Sequence, residues 1–322
     1  MCRGLIIHHW DADGISSAAL LLKHVYPEYE NWTPNRGIRR LDQDHIEWLV
    51  DFDHVVITDM AIPKENIDSI LESSEVTIID HHIQKPIQNI EFINPIGRGK
   101  NVIDYPCTSW VIKEHFDLPV SLLVIIGLIG DRLHKADENP LIWSQIEKNL
   151  ENEGTRKDEL YFLTRIVDSL HKIGDIEAVI EAPKVLQDES PETIKKNMRW
   201  RKAYNLVESE LERILSESLE IRNEVIYKEL DTKLNIVSEV AKKLSWSTSK
   251  DIVAVNRGYF TDRVQIYSRS TRIDLLSIML MLQSEGYFAT GKQGVLGTVL
   301  PISKSNQFID YLMQRLCAHI DP

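Results

Sequence analysis

Acidic and imidazole side chains recur at four places in the first 135 residues, each time directly after an apolar run. Leu5-Ile6-Ile7 leads into His8, His9, Asp11 and Asp13, and Val55-Val56-Ile57 leads into Asp59. Val76-Thr77-Ile78-Ile79 leads into Asp80, His81 and His82, and the run from Val124 to Gly130 ends at Asp131. Carboxylates gathered in one crevice repel one another unless cations neutralise them, and divalent metals are the natural cations for that task. Mixed imidazole and carboxylate donors suit manganese, with magnesium less comfortable beside nitrogen. Each piece alone has a plainer explanation. Asp13, standing before Gly14-Ile15-Ser16, could cap the following helix; Asp59 could open the loop after its strand; a histidine pair is commonly a surface or core feature. Recurrence of the same donor chemistry at four run ends favours the metal site.

The elements that must position these donors can be read from hydrophobic periodicity. Short β-branched runs at 4–9, 53–59 and 76–80 read as strands, alternating with helical stretches at 15–25, 64–73 and 108–116. Residues 122–130 form a further buried apolar run, which places all four donor groups at strand ends. Runs this apolar, alternating with helices, are the pattern of a parallel sheet covered on both faces. In such a sheet the carboxyl ends of the strands line one crevice, where ligands bind. Residues 140–180 read as helical and polar, with no chemistry to isolate. Pro191 opens a long helical pattern over 192–219 that would connect two domains. Runs at 221–231, 234–244, 252–256 and 264–267 suggest a smaller α/β domain. The expected architecture is therefore α/β throughout: a parallel-sheet domain over 1–185, a connecting helix over 186–225 and a smaller domain over 226–322.

Composition sets the outer limits. The chain has 322 residues and a formal net charge of -12; 43% of residues are hydrophobic and 27% charged, ordinary for a globular enzyme and wrong for a mostly disordered chain. No window approaches 18 consecutive apolar residues, so no membrane span is expected. The start, MCRGLIIHHWDADG, turns polar after Ile7, too early for a signal-peptide core, and a cytoplasmic location follows as the expectation. Cys2, Cys107 and Cys317 lie far apart with no CxxC pair, which argues against a disulfide framework or a zinc-thiolate site. The acidic balance argues against a broad basic surface for duplex DNA and leaves room only for a local basic groove. No internal repeat or low-complexity segment is present.

Four segments taken in order resemble the motifs of the DHH phosphoesterases: His9-Trp10-Asp11-Ala12-Asp13-Gly14, Thr58-Asp59, Asp80-His81-His82 and Gly127-Leu128-Ile129-Gly130-Asp131. The resemblance covers about residues 4–135, and the H-x-D-A-D-G form is most similar to the archaeal RecJ-like branch. It implies two divalent ions, manganese preferred over magnesium. His9, Asp11 and Asp59 would hold one, with His8 as the alternative to His9; Asp13, Asp59, His81 and Asp131 would hold the other, so that Asp59 bridges. Asp80 would orient an imidazole, and His82 would face the substrate phosphate. Two ions roughly 3.5–4 Å apart lower the pKa of a water and stabilise the charge of an in-line displacement.

The resemblance further implies that the smaller domain is a DHH-associated domain, which supplies an Arg from a Ser-Arg-Ser strand and a GGGH loop. Ser268-Arg269-Ser270 matches the first. The second is present only in part: Gly291-Lys292-Gln293-Gly294-Val295-Leu296-Gly297 keeps the glycine spacing, lacks the histidine, and offers Lys292 as the cation in its place. Glycines let backbone N–H groups approach a phosphate, and an Arg can grip one bidentately. A pair of turns flanking a strand is the plainer explanation. Lys195, Lys196, Arg199, Arg201 and Lys202 with Trp200 and Tyr204 could track a nucleic-acid strand, but helical spacing spreads them around the cylinder and a solvated face is favoured. Arg98, Lys100, Arg132 and Lys135 are further candidate phosphate contacts. Thr108-Ser109 reads as the start of a helix, capped by hydroxyls.

The implied activity is single-strand-specific 5′-to-3′ exonuclease action releasing mononucleotides, beside a helicase or translocase partner. The alternative is a phosphodiesterase for short oligonucleotides or cyclic dinucleotides, which the acidic charge and compact length favour slightly. Pyrophosphatase is disfavoured because the Ser-Arg-Lys-Lys signature of that branch is absent. A replication scaffold of the same fold is disfavoured because such proteins generally lose ligands that this chain retains.

Overall fold

A computed structural model describes residues 3–35, 41–132, 136–137, 139–153 and 156–318. The chain divides into two compact units, Met1–Tyr204 and Asn205–Pro322. In the first unit five runs pair into one sheet: β1 (Gly4–His8), β2 (Glu30–Trp32), β3 (His54–Thr58), β4 (Glu75–Ile79) and β5 (Glu91–Ile93). All pairings are parallel, in the order β2-β1-β3-β4-β5. Side chains alternate between faces with a period of two. Ile6, Val56 and Ile79 therefore enter one core layer, and Leu5, Ile7, Val55, Ile57 and Ile78 enter the other.

Each layer is closed by helices. Helix α1 (Ala12–His24) covers one face; α2 (Gln43–Leu49) and α3 (Lys64–Leu71) cover the other. On the α1 side stand α4 (Thr108–His115), α5 (Leu122–Arg132), α6 (Pro140–Glu153), α7 (Lys157–Ile173), α8 (Ile176–Leu186), α9 (Pro191–Lys196) and the first part of α10 (Met198–Ser216). The chain leaves β1 toward β2 on one side, and later pairs β3 on the other. That reversal of direction opens a crevice at the carboxyl ends of β1 and β3.

Two expectations change. The apolar run over 122–130 is not a strand but the body of α5, buried from Leu122 to Ile129. An element buried all round carries no amphipathic period, so its sequence cannot separate strand from helix. The pattern over 192–219 is two helices. Asn197 breaks it with an extended backbone (ψ 103) and accepts a hydrogen bond from Trp200 N at 3.2 Å through its side chain, starting α10 afresh.

The second unit holds β6 (Glu220–Arg222), β7 (Val225–Leu230), α11 (Val237–Thr248), β8 (Asp251–Asn256) and β9 (Arg263–Arg269). It continues with α12 (Leu276–Ser284), β10 (Phe288–Lys292), β11 (Val295–Pro301) and α13 (Ile302–Cys317). Its sheet runs β10-β11-β9-β8-β7-β6 and is antiparallel except between β7 and β8. Leu275, Ile278 and Leu282 before and within α12, and Ile309, Leu312 and Leu316 in α13, pack with Val253, Val255 and Ile266 to form its core.

Candidate metal centre

Strand pleating decides which of the two N-terminal histidines is available. His8 is the last residue of β1 and fully buried, with Nδ1 2.7 Å from His9 O and Nε2 3.5 Å from Asn31 Nδ2. Burial lowers its pKa to about 4, which keeps it neutral. His9, one residue on, points to the crevice. Its Nδ1 is 2.7 Å from Asp11 Oδ2 and 3.7 Å from Asp59 Oδ2. Its Nε2 is buried, with no hydrogen-bond partner among the described residues.

The first motif then turns into α1. Asp11, not Asp13, caps this helix, accepting from Gly14 N at 3.1 Å. A side chain at Gly14 would lie 2.3 Å from His9 O, so only glycine permits the turn. Asp13 sits in the first turn of α1, buried, and caps a different helix. It accepts Thr108 N at 2.6 Å and Ser109 N at 3.0 Å, the free amides at the start of α4. Cys107, at the cap position, makes no side-chain capping bond. The expected hydroxyl cap at Thr108 is corrected likewise, because its Oγ1 donates to Asp59 Oδ1 at 2.9 Å.

Asp59 follows β3 with a left-handed backbone (φ 59), a conformation that aspartate tolerates better than most residues. Its two oxygens face different partners: Oδ2 lies 3.7 Å from His9 Nδ1, and Oδ1 lies 3.7 Å from His81 Nε2. After β4, Asp80 is fully buried. Its Oδ1 accepts His81 N at 2.8 Å and lies 2.7 Å from His82 Nδ1, so the imidazole it orients is that of His82. Asn94 steadies the same loop by donating to His82 O at 2.9 Å.

The fourth donor arrives by close helix packing. Cβ atoms built on Gly127 and Gly130 would lie 2.4 Å from Asp13 Oδ1 and 2.8 Å from Ala12 Cβ, respectively. Only glycines let α5 approach α1 so closely. The approach carries Asp131 to 2.9 Å from His81 Nε2. The result is three overlapping groups whose ligand atoms lie within 4.8 Å of one another: His9, Asp11 and Asp59; Asp13, His81 and Asp131; and Asp59, His81 and His82.

Charge explains what this arrangement requires. Burial, then the carboxylate of Asp131, pushes Asp13 up to about 6. Burial and the surrounding Asp13, Asp11 and Asp131 push Asp59 well above the ordinary carboxylate range. Burial opposes the charge on His81, but Asp131 and Asp13 outweigh it and raise its pKa to about 9. Burial likewise opposes ionisation of Asp80 and Asp11, yet His82 and His81 hold Asp80 down at about 2, and His9 holds Asp11 below the ordinary range. Burial and mutual repulsion thus favour the protonated forms of Asp13 and Asp59, and the imidazole-carboxylate donor set fits divalent ions, which would compete with those protons.

Residues outside the motifs also belong to this neighbourhood. Asp168 of α7 accepts Ala12 N at 3.4 Å, between the two motif aspartates, and is paired with Lys172 at 2.8 Å and His171 at 3.1 Å. Nothing in the polar helical stretch 140–180 marks them, because α7 comes to α1 only through tertiary packing. Among the other expected cations, Arg98 donates to Phe92 O at 2.6 Å, and Lys135 lies outside the described residues. Part of the basic cluster is committed elsewhere. Trp200 is buried, Arg199 pairs with Asp175, Glu177 and Glu181, and Lys195 and Lys196 both pair with Glu192.

Within the second unit, the Ser-Arg-Ser and glycine segments meet at one end of the sheet. Register sets Arg269 opposite Val295 and Ser268 opposite Leu296, and Ser270 N donates to Gly294 O at 3.1 Å. A side chain at Gly294 would meet Ser270 O at 2.6 Å, and Gly291 has a φ of 154 with Val295 O 2.1 Å from its notional Cβ. Lys292 ends β10, opposite Val295. Ser268 is fully buried. Ser270 donates its hydroxyl to buried Asp251 at 2.9 Å, and Asp251 also accepts Thr271 N at 3.2 Å and Arg272 Nε at 2.8 Å. Arg269 lies over the Trp246 ring, 5.7 Å from its centroid.

These features define an α/β protein with a carboxylate-imidazole cluster at the switch point of a parallel sheet. Residues 4–127 match the model of the DHH family, N-terminal domain. No curated protein matches the chain. Among solved structures it is similar to RecJ in complex with Mn2+ from Thermus thermophilus, at 17% identity and a TM-score of 0.70 over 99% of this chain and 53% of that one. The chain thus spans about half the length of that RecJ. The DHH domain of a member of a ribosomal protein family matches at 12% identity and a TM-score of 0.70, over 98% of this chain and 87% of that one. A pGpG-specific phosphodiesterase from Vibrio cholerae matches at 12% identity and a TM-score of 0.51, over 98% and 99%. At these identities the likeness is one of fold.

Proposed function

We propose that this protein is a divalent-metal-dependent phosphodiester hydrolase, acting as a single-strand-specific 5′-to-3′ exonuclease that releases mononucleotides. The observation that carries the reading is the pair of donor clusters joined through the two oxygens of Asp59. His9, Asp11 and Asp59 would hold one ion, and Asp13, Asp59, His81 and Asp131 the other, with manganese preferred. Such ions, when bound, supply Lewis acidity toward a phosphoryl oxygen and lower the pKa of an attacking water. Asp80 receives His82 Nδ1, which leaves the other ring nitrogen on the side away from Asp80, where it would meet a substrate phosphate. Arg269, with the glycine turn around Gly291, Lys292 and Gly294 beside it, would grip a phosphate of the strand. Single-stranded nucleic acid is the substrate this reading requires, and a helicase or translocase that delivers it is a partner compatible with it.

A second reading, hydrolysis of short oligonucleotides or cyclic dinucleotides, is favoured by one observation. Arg199, Lys195 and Lys196 are tied to carboxylates, so the helix around 195–204 does not offer a continuous basic track, and the chain is acidic overall. Manganese-dependent cleavage of a dinucleotide and of a 5′-labelled 30-mer, measured side by side, separates the two. Processive release of mononucleotides from the 30-mer supports the exonuclease; strong preference for the dinucleotide moves the assignment to the second reading. Asp59→Ala is expected to abolish both reactions, and unaltered hydrolysis by that variant would overturn the site.

A further inference from the structure

Threonine at the start of a helix ordinarily turns its hydroxyl to the helix's own free amides. Thr108 does not. Those amides are taken by Asp13, at 2.6 Å from Thr108 N and 3.0 Å from Ser109 N, and the freed hydroxyl donates to Asp59 Oδ1 at 2.9 Å. Thr108 is fully buried and Asp59 nearly so, so this bond is made away from water. A single residue thereby touches one carboxylate from each donor cluster, Asp13 through its amide and Asp59 through its hydroxyl. Asp59 has particular need of such a hold. It lies beyond β3 in the left-handed region, where strand pleating no longer dictates side-chain direction, and its two oxygens must face His9 and His81 at once.

We propose that Thr108 is a positioning residue for the cation site: its hydroxyl sets the plane of the Asp59 carboxylate so that Oδ1 serves the His81 side while Oδ2 serves the His9 side. This rests on the reading of the crevice as a two-cation site. Loss of the hydroxyl leaves Oδ1 buried without its donor and lets the carboxylate rotate, which weakens chiefly the ion on the His81 side. Partners of ligating groups outside the coordination sphere typically contribute about 10–100-fold in metal affinity.

The test is Mn2+ binding to the metal-free full-length protein, followed by calorimetric titration and by the electron paramagnetic resonance of free and bound Mn2+. Wild type is expected to bind two ions. Thr108→Val, which keeps the shape and removes the hydroxyl, should weaken one of the two by about 10–100-fold and leave the other within a few-fold. Thr108→Ser, which keeps the hydroxyl and removes the methyl, should bind both nearly as wild type does. Unaltered affinities in Thr108→Val would overturn the inference, as would an equal loss in Thr108→Ser, which would trace the effect to packing. Because the serine variant retains the bond in question, its result stands even if the valine variant fails to fold. Two ions bound by wild type with no effect of either substitution defeats only the role of Thr108; no Mn2+ bound by wild type defeats the two-cation reading itself.

Discussion

Replacing Gly127 by alanine sets two effects of opposite sign against each other. The residue lies in the interior of α5, where alanine gains about 1 kcal/mol over glycine from helix propensity alone. Against this, the added Cβ would lie 2.1 Å from Ser109 Oγ and 2.4 Å from Asp13 Oδ1. Optimal contacts between non-bonded heavy atoms are nearer about 3.5 Å, so the overlap exceeds ~1 Å twice over. Neither neighbour can yield cheaply. The Asp13 carboxylate is held by two amides of α4, and Ser109 Oγ lies 3.3 Å from Val124 O and 3.2 Å from Cys107 Sγ. Overpacking of this kind costs about 1–3 kcal/mol, and the rigid surroundings place this case at the upper end. The expected net loss is about 2 kcal/mol. For a cooperative unit of this size that corresponds to a Tm lower by about 4–8 °C. Thermal unfolding followed by circular dichroism in chelator would measure it. The same melts with Mn2+ should show a smaller metal-induced rise than in wild type, because the displaced carboxylate is a proposed ligand. A variant that melts at or above wild type, with the metal-induced rise intact, would refute the close-approach argument and leave propensity as the only effect.

Two further outcomes follow from the same structure. His81 has a folded-state pKa of about 9 against an ordinary value of 6.5, so between those values the native state binds more protons than the unfolded one. Its stabilisation is fully present below pH 6.5 and is lost as the pH rises through 9, a contribution of about 3 kcal/mol. The metal-free protein should therefore melt lower at pH 9 than at pH 6.5, and His81→Asn should flatten that slope; an equal slope in the variant would count against the assignment. In the second unit, Asp251→Asn removes a buried carboxylate that accepts from Ser270, Thr271 and Arg272 and should destabilise that unit by about 2–3 kcal/mol, after allowance for the partial exposure of Arg272. An unchanged melting profile would show that the turn after Arg269 is held by other means.

The donor residues were legible because their chemistry is local. Carboxylates and histidines placed directly after apolar runs can be recognised without knowing how the runs pair, and β1, β3 and β4 appear within a residue or two of their expected bounds. Asp131 was expected at the end of a strand and lies on a helix, since a run buried on all sides carries no period by which to tell α5 from a strand. The roles of Asp11 and Asp13 were less accessible. Both stand where a helix cap would, and only the position of α4 shows that Asp13 caps a helix 95 residues away in sequence. Asp168 and His171 had no local signal at all, and the signal at Thr108 pointed only to a helix cap. Their importance comes from what they touch.

By itself, then, the sequence determined the kind of site and the kind of sheet: which side chains would gather, that their charges would require cations, and that α/β layers would carry them. Those follow from residue type and short-range pattern, which do not depend on the rest of the fold. Only tertiary structure decided that His9 and not His8 enters the crevice, that Asp59 presents one oxygen to each cluster, and that α5 lies close enough to α1 to deliver Asp131. These depend on the pairing of β1 with β3 and on helix contacts tens of residues apart, and the free energy that selects them resides in packing that no local segment contains.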